Sequence, residues 1–419
     1  QYRFSHDRIQ EATYNMMEDG VRRLLHFTYG LSLASLSIAE GSANILFIAV
    51  NQLNLGGPAT VEDPSQSHTV AALNLKAGKK AMEMSDFKAA SSYLRHGISF
   101  LLEHHWKDNY DLSLELFELS AKCALTNGDH NRVKLLVEEV SNNAQSFEDK
   151  LEIMYTCTRS LLTASHVGEA LTKGLFVLKE LGIVLSGDLE ALLMETKSML
   201  AEYTDEQLLS LPVMTDRTQL MTMKFLSRTQ TCLFQINPKS QPKAFLQMVQ
   251  YSLRHGMNDL SPLGFVLYGS FLACRGDILT GYRYVKTAIK LAEKLSARSC
   301  MGGVLLVGSQ VMGYVEPLQS VIDVIGRCHE YGLLEGGISD AMLSLSMIVI
   351  CKFWSGAHLS LVKNTGDDTL RLMSSHSTPV WIIHTLPIYR TVLAMIGNVD
   401  DVPIILGSRS ETNQNLREK

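Results

Sequence analysis

The stretch LNLKAGKKAMEMSDFKAASSYLRHGISFL, residues 73–101, decides the fold of the chain. Apolar or small residues recur at every fourth position in its two halves, at Leu73, Ala77 and Ala81 and then at Ala90, Leu94 and Ile98. This spacing gives each half one apolar helical face. Between the halves lies SDF (85–87), where Ser or Asp can cap the start of the second helix. The stretch therefore predicts a helical hairpin.

The same kind of turn recurs along the chain between amphipathic runs. Further examples are GDH (128–130), SHV (165–167), GDI (276–278), GYV (313–315) and SGA (355–357). Consecutive turns lie roughly 37 to 43 residues apart, and the gap from 166 to 277 spans about three such periods. A period of this length indicates a helix-turn-helix repeat array. In these turns we expect Gly to adopt positive φ and Asp or Ser to cap the next helix.

Small residues flank the turns at matched positions. Three pairs, each separated by twelve positions, are expected to face each other: Gly78 and Ala90, Thr158 and Ala170, Gly269 and Gly281. Ala121 with Val133 is a looser version of the same pair. This offset is typical of tetratricopeptide repeats, although the period exceeds their usual length of about 34 residues and their Trp and Pro marks are missing. The predicted fold class is all-α, a tetratricopeptide-like helical hairpin solenoid (α-α superhelix).

Breaks in the repeat pattern suggest domain boundaries. Residues 186–214 read as an inserted acidic helix with a short second helix, and the long helix that follows offers Leu220, Met223, Leu226 and Phe234 for burial. Residues 56–68 are expected to form a loop before the first repeat. The predicted divisions are 1–40 for the opening region, 41–70 for a helix and linker loop, 71–185 for a first repeat sub-array, 186–214 for the insertion, 215–398 for a second sub-array and 399–419 for a solvated tail.

Composition narrows the function classes. A net charge of -5 with 46% hydrophobic residues is typical of a globular chain and not of a nucleic-acid-binding one. The longest apolar stretches, near 301 and 341, are shorter than the roughly 20 residues that a membrane helix requires. The seven cysteines lie far apart with no CxxC pair, which is typical of free thiols in a reducing compartment. We therefore expect a cytoplasmic protein without nucleic-acid or membrane partners.

Motifs for catalysis or cofactor binding are missing. The glycine-rich pieces NLGGPA and LLEGGIS lack the lysine and the strand-to-helix context of a phosphate-binding loop, and GGPA predicts a turn. Six histidines near predicted helix ends or turns lack a metal-ligand pattern: His104, His105, His130, His166, His255 and His329. Four glutamates are expected on solvent-exposed helix faces: Glu115, Glu118, Glu138 and Glu139. We assign no catalytic, cofactor-binding or metal residue, and the binding residues stay unknown.

Two features allow either packing or binding. The lysines of KAGKK (76–80) could attract an acidic partner, but a lysine-rich helix face is more often simply solvated. Tyr282, Tyr284 and Trp354 could line a concave groove, but aromatic residues at helical spacing more often pack between repeats. We favour solvation for the lysines and core packing for the aromatics.

The chain opens with Ser5-His6-Asp7, the residue types of a hydrolase triad. Adjacent side chains cannot hydrogen-bond in series to one reacting atom, so this tripeptide is not a triad. Instead, residues 2–4 predict a short edge strand, and Ser5 would cap a helix with Asp7 in its first turn. The expected buried stripe of that helix is Ile9, Ala12 and Met16. A second helix should follow over GVRRLLHFTYGLSLASL.

A family resemblance rests first on this opening region. Its pattern consists of Phe4, His6, Gln10, Ala12, Tyr14, Arg22, Arg23, Leu25 and His26. The pattern resembles the end of the winged-helix-like region that follows the nucleotide-binding domain in STAND-class AAA ATPases. The resemblance implies that residues 1–40 are the C-terminal end of such a region. It also implies that ATP binds in a domain that precedes this segment, which itself holds no cofactor.

Longer collinear stretches extend the resemblance over about residues 2 to 362. They are FIAVNQLNLGG, LNLKAGKKAMEMSDFKAASSYLRHGISFL, VLKELGIVL, GDILTGYRYVKTAIKLAEKL and EYGLLEGGISDAML. They resemble the helical repeat region of large proteins that join a serine/threonine-kinase-like domain, an AAA ATPase, helical repeats, a GAF domain and often a histidine kinase. Gln52 stands where that family often has His, and Gly336-Gly337 replaces a Gly-Asp turn. The family's ATP-binding and phosphotransfer residues lie outside this segment, so none is carried over.

Two functional hypotheses follow. The resemblance implies a non-catalytic scaffold or regulatory arm of an ATPase-coupled signalling kinase, whose partners are the ATPase and output kinase domains or a protein or ligand that shifts their geometry. The alternative is a free-standing adaptor that docks a peptide in its concave groove. A Walker A motif encoded upstream of Gln1 would support the first, and a start codon there the second. An all-α enzyme is a third hypothesis, without any acid, base or metal set to support it.

Overall fold

A computed structural model of the protein describes residues 7–40, 43–61, 63–334, 338–375 and 379–397. These ranges contain twenty-one α-helices and no β-strand beyond one isolated bridge between Val213 and Met257. The helices are α1 (Asp7–Asn15), α2 (Asp19–Glu40), α3 (Ala43–Gly56), α4 (Pro64–Glu83), α5 (Phe87–Ser99), α6 (His105–Asp108), α7 (Tyr110–Thr126), α8 (His130–Asn143), α9 (Leu151–Thr163), α10 (Val167–Glu180), α11 (Leu189–Ala201), α12 (Asp205–Ser210), α13 (Arg217–Ile236), α14 (Gln241–His255), α15 (Ser261–Cys274), α16 (Ile278–Lys294), α17 (Arg298–Met312), α18 (Leu318–Leu334), α19 (Ile338–Trp354), α20 (Leu359–Ser375) and α21 (Pro379–Met395). The all-α prediction is confirmed.

The chain divides into two compact units, Gln1–Lys173 and Gly174–Lys419. Within each unit, most helices pack against the helices one or two places away in the sequence, as α2 does with α3, α4 with α5, α15 with α16 and α17, and α19 with α20 and α21. Packing between sequence neighbours is the defining property of a solenoid of helical hairpins. The predicted tetratricopeptide-like fold class is therefore confirmed, and the boundaries proposed for the two sub-arrays stay a prediction.

Five of the six predicted turns contain a residue with positive φ: Ser85 (60°), Gly128 (75°), Ser165 (63°), Gly276 (95°) and Gly356 (75°). In each turn, the N–H of the residue that follows donates to a carbonyl five positions earlier, as Asp86 does to Ala81 at 2.9 Å. This is the Schellman arrangement, which satisfies carbonyls at the helix end while the chain reverses. Gly313 is the exception, with a φ of -61°, and a longer link leads from it to α18.

The aspartates of these turns cap the next helix, as predicted. The side chain of Asp86 accepts a hydrogen bond from Ala89 N, and that of Asp129 accepts one from Arg132 N. Each bond satisfies one of the free N–H groups in the first helical turn. One short turn therefore ends a helix, reverses the chain and starts the next helix.

The hairpin of α15 and α16 depends on a close backbone approach. A Cβ added at Gly269 would lie 2.6 Å from the carbonyl oxygen of Gly281, so this predicted pair is confirmed. A Cβ added at Gly78 would instead meet the side chain of Leu94 at 2.8 Å, and no atom of Ala90 is among its nearest contacts. The branched side chain of Leu94 reaches the space in front of Gly78.

The other two predicted pairs consist of buried residues. Ala121, Val133, Thr158 and Ala170 each have an exposed fraction of 1% or less. Burial agrees with packing inside the hairpins, whereas the facing of the partners stays a prediction.

Residues 186–214 hold α11 and α12, which pack on α14 and α16. Ion pairs join Glu195 to Arg254 at 2.9 Å and Asp205 to Arg283 at 2.8 Å. Beneath them, the buried side chains of Thr196 and Gln250 form a hydrogen bond of 3.0 Å, and Leu193 and Leu200 are buried. The insertion therefore shares a core with the hairpins of the second unit.

Several predictions of burial and loop length are wrong. Phe234 is 61% exposed, although Met223 and Leu226 on the same helix are buried as expected. The predicted loop 56–68 is shorter than expected, because α3 ends at Gly56 and Asp63 already caps α4.

The opening helix also differs from the prediction. Ala12 and Met16 are exposed, Met16 by 86%, so they form no buried stripe. The predicted second helix is present as α2. The predicted strand at 2–4, the Ser5 cap, the side chain of Ile9 and the tail at 399–419 lie outside the described residues.

We predict that Ser85→Gly and Ser165→Gly each stabilise the protein. A residue with a Cβ is strained at positive φ and glycine is not, so we expect a net gain of about 0.5–1 kcal/mol for each change. Urea unfolding of the parent and the two variants measures the change in the free energy of unfolding. Gly128→Ser, the reverse change in the same kind of turn, should destabilise. A loss of stability in both glycine variants would contradict this account of the turns.

We also predict that Gly269→Leu destabilises the protein by about 1–3 kcal/mol or more, because the backbone of Gly281 cannot yield to the new side chain. The matched control is Gly326→Ala, in α18, where an added Cβ meets no atom within 4 Å. That change should be neutral or stabilising by up to about 1 kcal/mol. Thermal unfolding of both variants tests the pair, and equal midpoints would count against the close approach.

Candidate interaction surface

The described residues show no candidate metal site. Within the ranges given above, no group of three His, Cys, Asp or Glu residues lies close enough to hold a metal ion. Asp7 begins α1, while Ser5 and His6 lie outside the described residues. The assignment of no catalytic, cofactor or metal residue stays a prediction.

Apart from the adjacent His104 and His105, the six histidines singled out above lie far apart in the sequence. His130 Nδ1 lies 2.7 Å from the hydroxyl of Ser160, and His105 Nδ1 lies 2.8 Å from that of Ser113. His329 donates to the carbonyl of Ala341, which links α18 to α19. His255 accepts from Gln219, His166 lies 3.7 Å from Glu169, and His104 precedes α6 as its N-cap residue. The contacts of four of them, His105, His130, His255 and His329, join neighbouring helices, whereas His166 and Glu169 lie only three positions apart.

The seven cysteines are all free, and Cys274 is the exposed one. Burial raises the pKa of the Cys123 thiol to about 11 and those of Cys300 and Cys328 to about 12. These thiols stay protonated at neutral pH, and a thiol without its thiolate form is a poor nucleophile and a poor metal ligand. The prediction of free core thiols holds for the buried ones.

The four glutamates do not all face solvent. Glu118 has an exposed fraction of only 9%, which contradicts the prediction, because α7 packs against neighbours on more than one side. Glu139 is half-buried and accepts a hydrogen bond of 2.8 Å from Trp106 Nε1. Glu138 is exposed as expected.

Two of the three lysines in KAGKK are paired within the chain. Lys79 lies 2.6 Å from Glu115, and Lys80 lies 2.8 Å from Glu83. All of these side chains stay partly solvated, in agreement with the prediction that the lysines of KAGKK face solvent.

The aromatic residues have different environments. Tyr284 is buried against Tyr268, with 5.0 Å between the ring centroids, as expected for core packing. Tyr282 donates a hydrogen bond of 2.5 Å to Glu316, which raises the pKa of its hydroxyl to about 12. Trp354 is 67% exposed, so its predicted burial is wrong.

The opening hairpin consists of α2 and α3. Its most distinctive exposed apolar surface is a stripe on α2. Val21, Leu25, Tyr29 and Leu36 are 49%, 55%, 58% and 51% exposed. With about 100° of rotation per residue, these four positions fall within an arc of about 80° on one helical face. Ser32 lies inside the same arc and is also exposed. We call this set the α2 stripe.

The opposite face of α2 packs on α3. Phe27 and Ala34 are 4% and 5% exposed. A Cβ added at Gly30 would lie 2.8 Å from Leu53 Cγ, so the two helices are in close contact along this face. Because the hairpin core already uses one apolar face, the α2 stripe is a second apolar face that adds nothing to the hairpin's own core.

A chain of polar contacts ties α1 and α3 to α2 beside the stripe. The hydroxyl of Tyr14 lies 2.6 Å from His26 Nε2, and Gln52 Oε1 lies 2.6 Å from His26 Nδ1. The amide oxygen can only accept, so Nδ1 donates to Gln52 and Nε2 accepts from Tyr14. The guanidinium of Arg22 lies over the Tyr14 ring at 5.0 Å. Tyr14, Arg22, His26 and Gln52 are therefore joined, and the first three carry the family resemblance.

No family model matches the chain. The chain is 18% identical over 447 residues to the hybrid signal transduction histidine kinase G of Dictyostelium discoideum. That match covers 94% of this chain and 13% of the kinase, so the chain spans a small part of that relative's length.

Solved structures similar to the chain include two helical proteins. One is a Signal Transduction ATPase with Numerous Domains (STAND) protein with a tetratricopeptide repeat sensor from Pyrococcus horikoshii, with a TM-score of 0.46, 11% identity and coverage of 97% of this chain and 65% of that one. The other is the APC/C hetero-tetramer Cut9-Hcn1, with a TM-score of 0.36, 10% identity and coverage of 92% of this chain and 85% of that one.

None of the described helices is both long and apolar enough to cross a membrane. The described part of the chain is an all-α array of helical hairpins.

Proposed function

We propose that this chain is the non-catalytic scaffold and regulatory arm of an ATPase-coupled signal-transduction kinase. In this proposal, the arm stands between an AAA/STAND ATPase domain and an output kinase domain of one longer protein, and it presents surfaces for protein or ligand binding. Because the arm would lie between the two domains, a conformational change of the ATPase domain could alter the position of the output kinase domain. ATP would be bound by the preceding domain, and the protein would act in the cytoplasm.

The sequence comparison and the fold support the proposal. The match to the histidine kinase runs through 94% of the chain, and the family resemblance covers about residues 2 to 362. Arrays of helical hairpins offer large surfaces for binding. The resemblance further suggests a serine/threonine-kinase-like domain and a histidine kinase as the other members of the parent protein.

The α2 stripe is the observation on which the proposal chiefly depends. A row of four apolar side chains, each about half exposed, lies on one face of the first long helix. Isolated exposed apolar residues are common, but a row along one helix face is typical of a surface that another domain covers. The stripe belongs to the region that resembles the end of the winged-helix-like region, so we assign the preceding ATPase domain as its occupant.

We predict that Leu25→Glu with Tyr29→Glu uncouples the arm from the ATPase in the intact parent protein. Two carboxylates in the covered stripe would have to lose water without partners, so the contact should be lost. Hydrogen exchange measures it: the amides of α2 should exchange at least about tenfold faster in the variant than in the intact parent.

Leu279→Glu is the matched control, because Leu279 is 73% exposed on α16, a helix of the second unit. It should leave the exchange of α2 unchanged. Identical exchange of α2 in the parent and in the double variant would contradict the assigned occupant. Stoichiometric ATP binding by the 419-residue chain alone would contradict the non-catalytic role itself.

A further inference from the structure

A cavity lies in the second unit, at the place where α17 begins and α18 ends. Its volume is about 450 Å³, which is within the range of small-molecule sites. Its walls are Arg298 from α17 and Arg327, Glu330, Tyr331 and Leu334 from α18. Three of these five side chains are charged, so the chemistry of a ligand for this cavity can be inferred from their charges.

The packing of the hairpin of α17 and α18 holds the walls in place. The four wall residues of α18 are spaced i, i+3, i+4 and i+7, which places them within an arc of about 100° on one helical face. A Cβ added at Gly302 of α17 would lie 3.7 Å from Gly332 N of α18. Cys328 Sγ donates to the carbonyl oxygen of Gly302 at 3.2 Å. The two helices are therefore in close contact beside the cavity.

One of the three wall charges is already paired inside the chain. The guanidinium of Arg327 lies 2.9 Å from a carboxylate oxygen of Glu293 on α16. A side-chain hydrogen bond also joins Arg327 to Tyr331. A guanidinium can only donate, so the phenolic oxygen accepts, and the O–H of Tyr331 can still donate to a ligand. The pair of Arg327 and Glu293 adds no net charge to the cavity.

The other two wall charges have opposite signs and are unpaired. Neither Arg298 nor Glu330 forms an ion pair with another of the described residues, and the two are not close enough to pair with each other. A ligand with only a negative charge would be repelled by Glu330, and one with only a positive charge would be repelled by Arg298. A ligand that carries one charge of each sign can pair with both.

The helix ends at the cavity favour the same arrangement of ligand charges. Arg298 is the first residue of α17, and the N-cap residue Ala297 provides no side-chain hydrogen bond. Leu334 is the last residue of α18, whose last turn contains no basic residue. A helix carries partial positive charge at its N-terminus and partial negative charge at its C-terminus. A carboxylate is therefore favoured beside Arg298, and an ammonium group beside the end of α18.

We propose that this cavity binds a free apolar α-amino acid. Its carboxylate would pair with the guanidinium of Arg298, and its ammonium group with the carboxylate of Glu330. Its side chain would lie against Leu334, which is 79% exposed, and against the ring of Tyr331. A peptide fits less well, because its terminal charges are separated by additional residues. None of these wall residues belongs to the α2 stripe, so the inference does not depend on the proposed function.

The test uses the 419-residue chain with L-leucine as the probe and isothermal titration calorimetry as the measurement. We expect saturable one-to-one binding with a Kd below about 1 mM. Arg298→Gln and Glu330→Gln should each weaken binding at least about tenfold, because each leaves one ligand charge without its partner. Leu334→Ala should weaken the binding of leucine about threefold or more through the loss of apolar contact. Circular dichroism should show unchanged folding in all three variants.

Two leucine analogues test which ligand charge pairs with which residue. N-acetylleucine lacks the ammonium group, so it should bind the parent at least about tenfold more weakly than leucine and lose no further affinity in Glu330→Gln. Leucine methyl ester lacks the carboxylate, so its weak binding should be insensitive to Arg298→Gln. Ligand-observed NMR measures these lower affinities.

The matched controls are Lys197→Gln and Glu202→Gln, which each remove one charge at an exposed position of the second unit and should bind leucine like the parent. Equal leucine binding by the parent and by either Arg298→Gln or Glu330→Gln overturns the proposal. So does a lack of saturable binding up to about 10 mM leucine, or tighter binding of the dipeptide leucyl-leucine than of leucine.

Discussion

The turn that ends one helix and starts the next is the constraint on which the rest of the structure depends. A single residue at positive φ, such as Gly128 or Gly276, lets the chain reverse within two or three residues. The aspartate that follows caps the next helix, as Asp129 and Asp277 do. Because the reversal is so short, the two helices must lie side by side, and small residues such as Gly269 and Gly281 are then required where their backbones meet.

Local features of this kind could be predicted from the sequence. The turns at 85–87, 128–130 and 276–278 depend on residues within one helical turn. The structure forms each turn at the position of its sequence motif. Burial could be predicted less well, because it depends on which neighbours arrive from elsewhere. Phe234 and Met16 have apolar side chains in amphipathic runs but face solvent, whereas Glu118 is buried.

The candidate surfaces were missed for the same reason. The α2 stripe is visible in the spacing of Val21, Leu25 and Tyr29, but the sequence does not show which of the two apolar faces of α2 packs on α3. The cavity at the start of α17 and the end of α18 depends on residues of two helices, such as Arg298 and Glu330, that no motif connects. Only the packing of the hairpin brings them together.

Solenoid packing favours extended surfaces over clefts in which catalytic groups converge. A catalytic site needs polar groups from several elements to converge in a cleft that excludes water. Here each helix meets chiefly its neighbours in sequence, so a histidine such as His130 reaches a residue of the next helix and no further. The same geometry leaves an open cavity where α17 begins and α18 ends. Binding at such a cavity needs only two adjacent helices, which an array of this kind supplies at every repeat.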